Sequence, residues 1–295
     1  MIKSLFIYLG IPLLVVIAVS FYLFSSATRL PDNTPQTLLK KKAGAEKKVV
    51  VCIGDSLTHG RVSSNYVDEL SERPSNNACL FVNAGINSEL AYNVLQRIDE
   101  IIALKPDYVT ILIGSNDVLA SLDEKSARRF IKKWNLPQKP TKEWFRKNLA
   151  EIVVRLQKET RAGIAVLSLP PVTEDVHHIG YKRAREYSDT IRAIADEKQL
   201  AYLPLNEKLD RAIQEKIPKS GPVFIGPERT LMYKAIARHY LLGQSWDRIS
   251  EKNGFLFLTD FIHLNTKGAV LAADLIEGFI LQRDRLAPDH TKKQS

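Results

Sequence analysis

The sequence of 295 residues predicts an α/β fold with a doubly wound, mainly parallel five-stranded sheet, preceded by one N-terminal transmembrane helix. Three observations carry that prediction. Short, apolar, β-branched runs alternate with amphipathic helical stretches from residue 48 onward. Polar turns containing glycine close three of these runs, at the ends where parallel sheets bind ligands. Finally, Leu5 to Phe24 is twenty residues without a charge, enough for a helix across a bilayer.

The charge distribution excludes one class of function. The net charge is +9, but residues 1–48 hold seven Lys/Arg against Asp32 and Glu46, and the tail from Arg283 adds further excess. Little positive charge is left to track phosphates across the core, so a nucleic-acid partner is not expected. The apolar segment is longer than the roughly 7–15 residues of a secretory signal, so it is expected to stay as a membrane anchor. Basic residues flank it on both sides. Because long domains translocate largely regardless of charge, a periplasmic or extracellular catalytic domain is expected.

The expected organisation is an anchor at 1–27, a Pro- and Lys-containing linker at 28–47, one hydrolase domain at 48–282 and a polar tail at 283–295. The first strand is Lys48–Ile53. It ends in Gly54-Asp55-Ser56-Leu57-Thr58-His59-Gly60, followed by a helix over 61–72. Cys79–Val82 forms the second strand and runs into Asn83-Ala84-Gly85, with Ser88 as the cap of the next helix. Tyr108–Ile113 forms the third and stops at Gly114-Ser115-Asn116-Asp117. A helix from Thr141, a strand at Ile164–Leu169, a helix over 181–198, a short strand at Ala201–Leu203 and a final helix beside Thr266 complete the pattern. Cys52 falls late in its strand and Cys79 early in the next, too far apart for a disulfide.

A nucleophilic serine needs a base, an orienter for that base, and donors for the oxyanion. Ser56 lies between two glycines where a strand turns into a helix, and helix N–H groups face such a position. Of six histidines, His263 stands in Asp260-Phe261-Ile262-His263 just before the last helix. That spacing lets Asp260 hold the imidazole while its other nitrogen faces the serine. Asp55 and Asp117 suit backbone bonding in their turns. Thr58 and His59 suit either the site's entrance or plain solvation.

These blocks resemble, in order, those of the SGNH or GDSL hydrolases: Gly54–Thr58, the Gly85 turn, Gly114–Asp117 and Asp260–Gly268. The resemblance spans about residues 48–282 and implies a flavodoxin-like three-layer α/β/α sandwich. It also implies Ser56 as nucleophile, His263 as base and Asp260 as its orienter. The oxyanion hole would be the Ser56 and Gly85 backbone N–H groups with the Asn116 amide. No cofactor and no metal are expected. The expected substrate is a small-molecule or lipid carboxylic ester, with a carbohydrate O-acetylesterase as the alternative. A non-catalytic flavodoxin-like binding module gives no joint role to Asp260, His263 and Asn116.

One segment is left over by this plan. Residues 222–250 contain a helix with Leu231, Met232, Ile236, Tyr240, Leu241 and Leu242. Its apolar face packs either on the core or beside the site as a cap for an acyl chain.

Overall fold

The computed structural model describes residues 2–41, 47–216 and 228–286, with side chains omitted for 2–11, 41, 228 and 229. Five strands are present: β1 (Lys48–Gly54), β2 (Cys79–Gly85), β3 (Tyr108–Leu112), β4 (Gly163–Leu167) and β5 (Ala201–Leu203). They lie in the order β2-β1-β3-β4-β5, every pair parallel. This is a doubly wound order with its switch point beside β1, where ligands bind beyond the strand ends. β1 and β3 are buried on both faces, which explains why their sequences are rich in β-branched residues and do not alternate with charged ones.

The helices, in chain order, are α1 (Ile2–Thr28), α2 (Pro35–Lys41), α3 (Ser56–His59), α4 (Tyr66–Glu72), α5 (Ala91–Gln96), α6 (Ile98–Ile102) and α7 (Ser115–Ala120). They continue with α8 (Glu124–Trp134), α9 (Lys142–Glu159), α10 (Ile179–Lys198), α11 (Leu205–Lys216), α12 (Glu228–Leu242), α13 (Trp246–Lys252) and α14 (Thr266–Leu286). α9 packs on α5, α6 and α10, while α14 packs on α4, α11 and α13. The two groups form the outer layers of the sandwich. Thr141 caps α9 by accepting from Trp144 N at 3.1 Å. Phe145 and Tyr187, both fully buried, join α9 to α10 with ring centroids 4.9 Å apart.

Several local expectations change. The helix expected over 61–72 begins only at Tyr66, because Asn65 Oδ1 accepts from Val67 N and Asp68 N and sets the start there. Ser88 caps nothing. It adopts φ 67° in a tight turn, and the next helix starts after Leu90. Part of the expected linker is the helix α2, and Asn33 just before it bonds β2, accepting from Asn83 N at 2.9 Å. Cys52 pairs in register with Asn83, and Cys79 with Lys48, so the two thiols stay free. Residues 217–227 lie outside the described residues, which removes Pro222–Gly226 from view.

The expected transmembrane helix is corrected. No helix among the described residues is long and apolar enough to cross a membrane. The end of α1 is also engaged by protein. Ala27 is buried with Val62 and Ile236, and Leu23, Met232 and Tyr240 pack against them. Asn87 Nδ2 donates to the Ala27 carbonyl at 2.8 Å. With the span goes the basis for a membrane partner and for a periplasmic or extracellular placement.

Candidate active site

β1 and β2 end in register at Gly54 and Gly85, and α3 sits over both ends. Glycine is required at each by closeness of approach. A Cβ on Gly54 would lie 2.0 Å from Thr58 Oγ1, and one on Gly85 would lie 2.2 Å from His59 N. Asp55 caps α3 by accepting from Leu57 N at 3.0 Å, and this places Ser56 at the first helical position.

His263 is positioned by its own loop. Asp260 Oδ1 accepts from Ile262 N at 2.8 Å and His263 N at 2.9 Å. The other carboxylate oxygen, Oδ2, lies 2.7 Å from His263 Nδ1. His263 Nε2 lies 3.0 Å from Ser56 Oγ, across 207 positions of sequence. All three side chains are buried, Ser56 being the most open at 8% exposure. Burial disfavours the imidazolium, but the Asp260 charge and hydrogen bond, with Asp55 beyond, hold the His263 pKa above the ordinary value.

Three other histidines, His239, His178 and His59, lie away from this series of contacts. His239 Nδ1 lies 2.8 Å from the Gln244 carbonyl and the ring stacks on Trp246. His178 Nδ1 accepts from Gly180 N and caps α10. His59 is fully buried, neither solvated nor at the entrance, and burial, then Arg61, lowers its pKa to about 4. Thr58 is buried as well, 2.8 Å from the Tyr66 hydroxyl.

The expected oxyanion donors divide. Asn116 lines the cavity over Ser56, with Nδ2 donating to the Glu89 carbonyl at 3.0 Å and to Asp55 Oδ2 at 3.2 Å. Gly85 is corrected. Its N–H donates to Asn83 Oδ1 at 3.0 Å, and its backbone is packed beneath α3, away from the cavity wall. Ser88, three residues on, does line the cavity. No partner for the N–H of Ser56 or of Ser88 is found among the described residues.

Two buried carboxyls stand behind the site. Burial raises Asp55 to about 7 against the pull of Leu57 N–H and His263. Burial also raises Asp117 to about 8, countered by the Ala91 N–H bond at 3.1 Å.

A cavity of about 550 Å³ opens over Ser56 and His263, within the usual range for small-ligand sites. Its far walls come from α1, from Met232, Tyr233 and Ile236 of α12, and from Arg129, Phe130 and Lys133 of α8. The α8 contribution was missed in the sequence. The one available signal was Asp123 followed by Ser126, an N-cap bonded at 2.8 Å ahead of Phe130 and Trp134.

Serine, histidine and aspartate in hydrogen-bonded series, at the carboxyl edge of a doubly wound sheet, is the arrangement that serine hydrolases use. The chain belongs to the GDSL-like lipase/acylhydrolase family, whose model matches residues 52–271. No curated protein matches it in sequence. Among solved structures it is similar to LAE5, an α/β hydrolase enzyme from the metagenome of Lake Arreo, Spain. That pair is 20% identical with a TM-score of 0.53, covering 80% of this chain and 96% of that one. It is also similar to Axe2, an acetylxylan esterase from Geobacillus stearothermophilus, at 17% identity and a TM-score of 0.54, covering 79% and 94%. The acetyl xylan esterase AlAXEase gives 18% and 0.52, with 78% and 98% covered. Likeness at these identities establishes the fold.

Proposed function

We propose that this chain hydrolyses carboxylic esters through an acyl-enzyme on Ser56. The observation that carries this reading is the run of contacts from Asp260 Oδ2 through His263 to Ser56 Oγ, at 2.7 and 3.0 Å. In the first half-reaction Oγ attacks the ester carbonyl as Nε2 takes its proton, and the carbonyl electrons move onto oxygen. Collapse of that adduct expels the alkoxide, which leaves as the alcohol with the Nε2 proton. Water then repeats the sequence, its proton passing to Nε2 and back to Ser56 as the carboxylate departs. Asp260 holds Nδ1–H throughout and stabilises the imidazolium.

The oxyanion is received by the Ser56 N–H, the Asn116 amide and the Ser88 N–H, the last in the role expected of Gly85. Asn116 lines the cavity, and its two amide hydrogens go to the Glu89 carbonyl and to Asp55 Oδ2, so receiving the oxyanion means giving up one of them, the longer 3.2 Å bond to Asp55 being the weaker. A neutral donor set suits a charge that exists only transiently.

The test is active-site labelling. A fluorophosphonate should modify wild-type protein at Ser56, and Ser56→Ala should lose labelling and hydrolysis of p-nitrophenyl acetate together. Modification of a different serine, with Ser56→Ala still active, would remove this reading.

A further inference from the structure

The matched family segment starts at residue 52, yet part of the wall above Ser56 lies before it. Ser20, Leu23, Phe24, Ala27 and Thr28, from the last turns of α1, line the same cavity as Ser56 and His263. Facing them are Met232, Tyr233 and Ile236 on α12. Spacings of three and four residues on both helices bring one stripe of each to the cavity.

The two helices are held as one wall. Leu23, Ala27, Val62, Met232, Ile236 and Tyr240 form a small apolar cluster separate from the main core. Tyr240 hydroxyl donates to the Arg61 carbonyl at 2.7 Å, which ties α12 to the segment after α3. The bond from Asn87 to the Ala27 carbonyl ties α1 to the turn that carries Ser88. The wall is therefore registered against the reacting atoms from both sides.

We propose that this α1–α12 wall receives the acyl chain of the substrate, so the preferred ester carries a longer aliphatic acid rather than acetate. The inference rests on the ester-hydrolase reading above. Two physical arguments assign the wall to the acyl moiety. The apolar members of the wall, Leu23, Phe24, Ala27, Met232 and Ile236, offer an acetyl group or a sugar nothing to bond, whereas each methylene they bury raises kcat/KM by roughly fourfold. The acyl group also stays bound to Ser56 after the alcohol leaves. An apolar wall fastened beside the nucleophile suits the part that remains, and the alcohol must exit before water can enter. Of the two positions open for α12 in the sequence, this is the cap beside the site. Leu231 alone reaches the main core, and Leu242 on the outer side is 66% exposed.

The experiment measures kcat/KM of the full chain on p-nitrophenyl octanoate and p-nitrophenyl acetate, and on octyl acetate beside methyl octanoate. Wild type should favour octanoate over acetate by at least about tenfold. Ser20→Trp puts bulk into the cavity from an exposed position, and Met232→Asp puts charge there. Both should lower the octanoate-to-acetate ratio by about tenfold or more, read alongside melting temperature. The Trp variant guards against a folding failure in the Asp variant. An unchanged ratio in both variants, with Ser56 still labelled in wild type, overturns the wall while leaving the hydrolase. Preference for octyl acetate over methyl octanoate moves the chain to the alcohol side and also overturns it. Absence of wild-type hydrolysis and labelling would instead remove the hydrolase reading itself.

Discussion

The backbone N–H of Gly85 donates to Oδ1 of Asn83 at 3.0 Å, while the Asn83 amide donates to the Thr58 carbonyl at 2.7 Å. Asn83 thus links the end of β2 to α3, and Gly85 is consumed by that link. On this loop Ser88 lines the cavity and its N–H has no partner among the described residues, which is why it is the donor proposed above. Its φ of 67° is one that L-residues adopt at a cost of about 1–2 kcal/mol. Ser88→Gly should therefore keep activity and raise stability by up to about 1 kcal/mol, since glycine keeps the N–H without the strain. Gly85→Ala should fail to accumulate as folded protein. Asn116→Ala should fold and lose about 10²–10³ in kcat. Wild-type turnover by Asn116→Ala would remove that amide from the oxyanion hole.

The pH profile follows from His263. The imidazole must be neutral to take the Ser56 proton, and its pKa is held above the ordinary 6.5. The acid limb of kcat/KM should therefore inflect above 6.5, with activity rising as pH rises through it. Asp260→Asn removes the charge that raises the pKa but leaves the burial that lowers it. The inflection should move below 6.5 as the rate falls. An unmoved limb in a folded Asp260→Asn variant would show that Asp260 does not set this pKa.

Asp117 predicts an opposite use of titration. Burial raises it from 3.8 to about 8, so the folded chain holds its proton more tightly than the unfolded chain. Its contribution to stability is full below pH 3.8 and is lost as pH rises through about 8. Asn in its place keeps an acceptor for the Ala91 N–H and does not ionise. Asp117→Asn should match wild type near pH 4 and melt at a higher temperature near pH 8. Parallel melting curves at both pH values would show that the carboxyl ionises without cost.

Glu174 positions the loop that carries the base. Its buried carboxyl accepts from Leu256 N, Phe257 N and Leu258 N at 2.7, 2.7 and 2.9 Å, just ahead of Asp260. Gln offers one acceptor oxygen and turns an N–H toward the remaining donors, leaving a buried group unpaired at about 1–3 kcal/mol. Glu174→Gln should lower the melting temperature. It should also slow fluorophosphonate labelling of Ser56 about tenfold well below that temperature, with the acid limb of the pH profile shifted down. Lower stability with an unchanged labelling rate and pH limb would make Glu174 structural only.

The sheet was legible in the sequence because strands covered on both faces are apolar almost throughout, as Val49–Ile53 is and as Tyr108–Ile113 is apart from Thr110. Ser56 and Asn116 stood out at the ends of β1 and β3, and Asp260 with His263 by a three-residue spacing ahead of α14; the contacts that bring Ser56, His263 and Asp260 together are a matter of tertiary structure. Gly85 misled for a physical reason. Glycine signals that something approaches closely, but here the approaching group is the His59 backbone and not a ligand. α1 misled similarly, since hydrophobicity does not distinguish a helix in lipid from one lining a cavity. α8 was lost because Lys and Arg dominate its composition and only Ala127 and Phe130 of its apolar positions are fully covered.

Ser56 follows the first strand of the sheet, and His263 directly precedes the last helix. Synthesis delivers the two in that order, and N-terminal parts of a chain fold first. A chain grown only as far as α13 already holds the hydroxyl, the cavity walls and Asn116, yet has nothing to withdraw the proton. Such a chain is inert toward esters until α14 docks and brings the preceding loop to the serine. Activity is thus a reporter of α14 docking. During refolding, hydrolysis should return together with the docking of α14, and a return before that step would place the loop ahead of its helix.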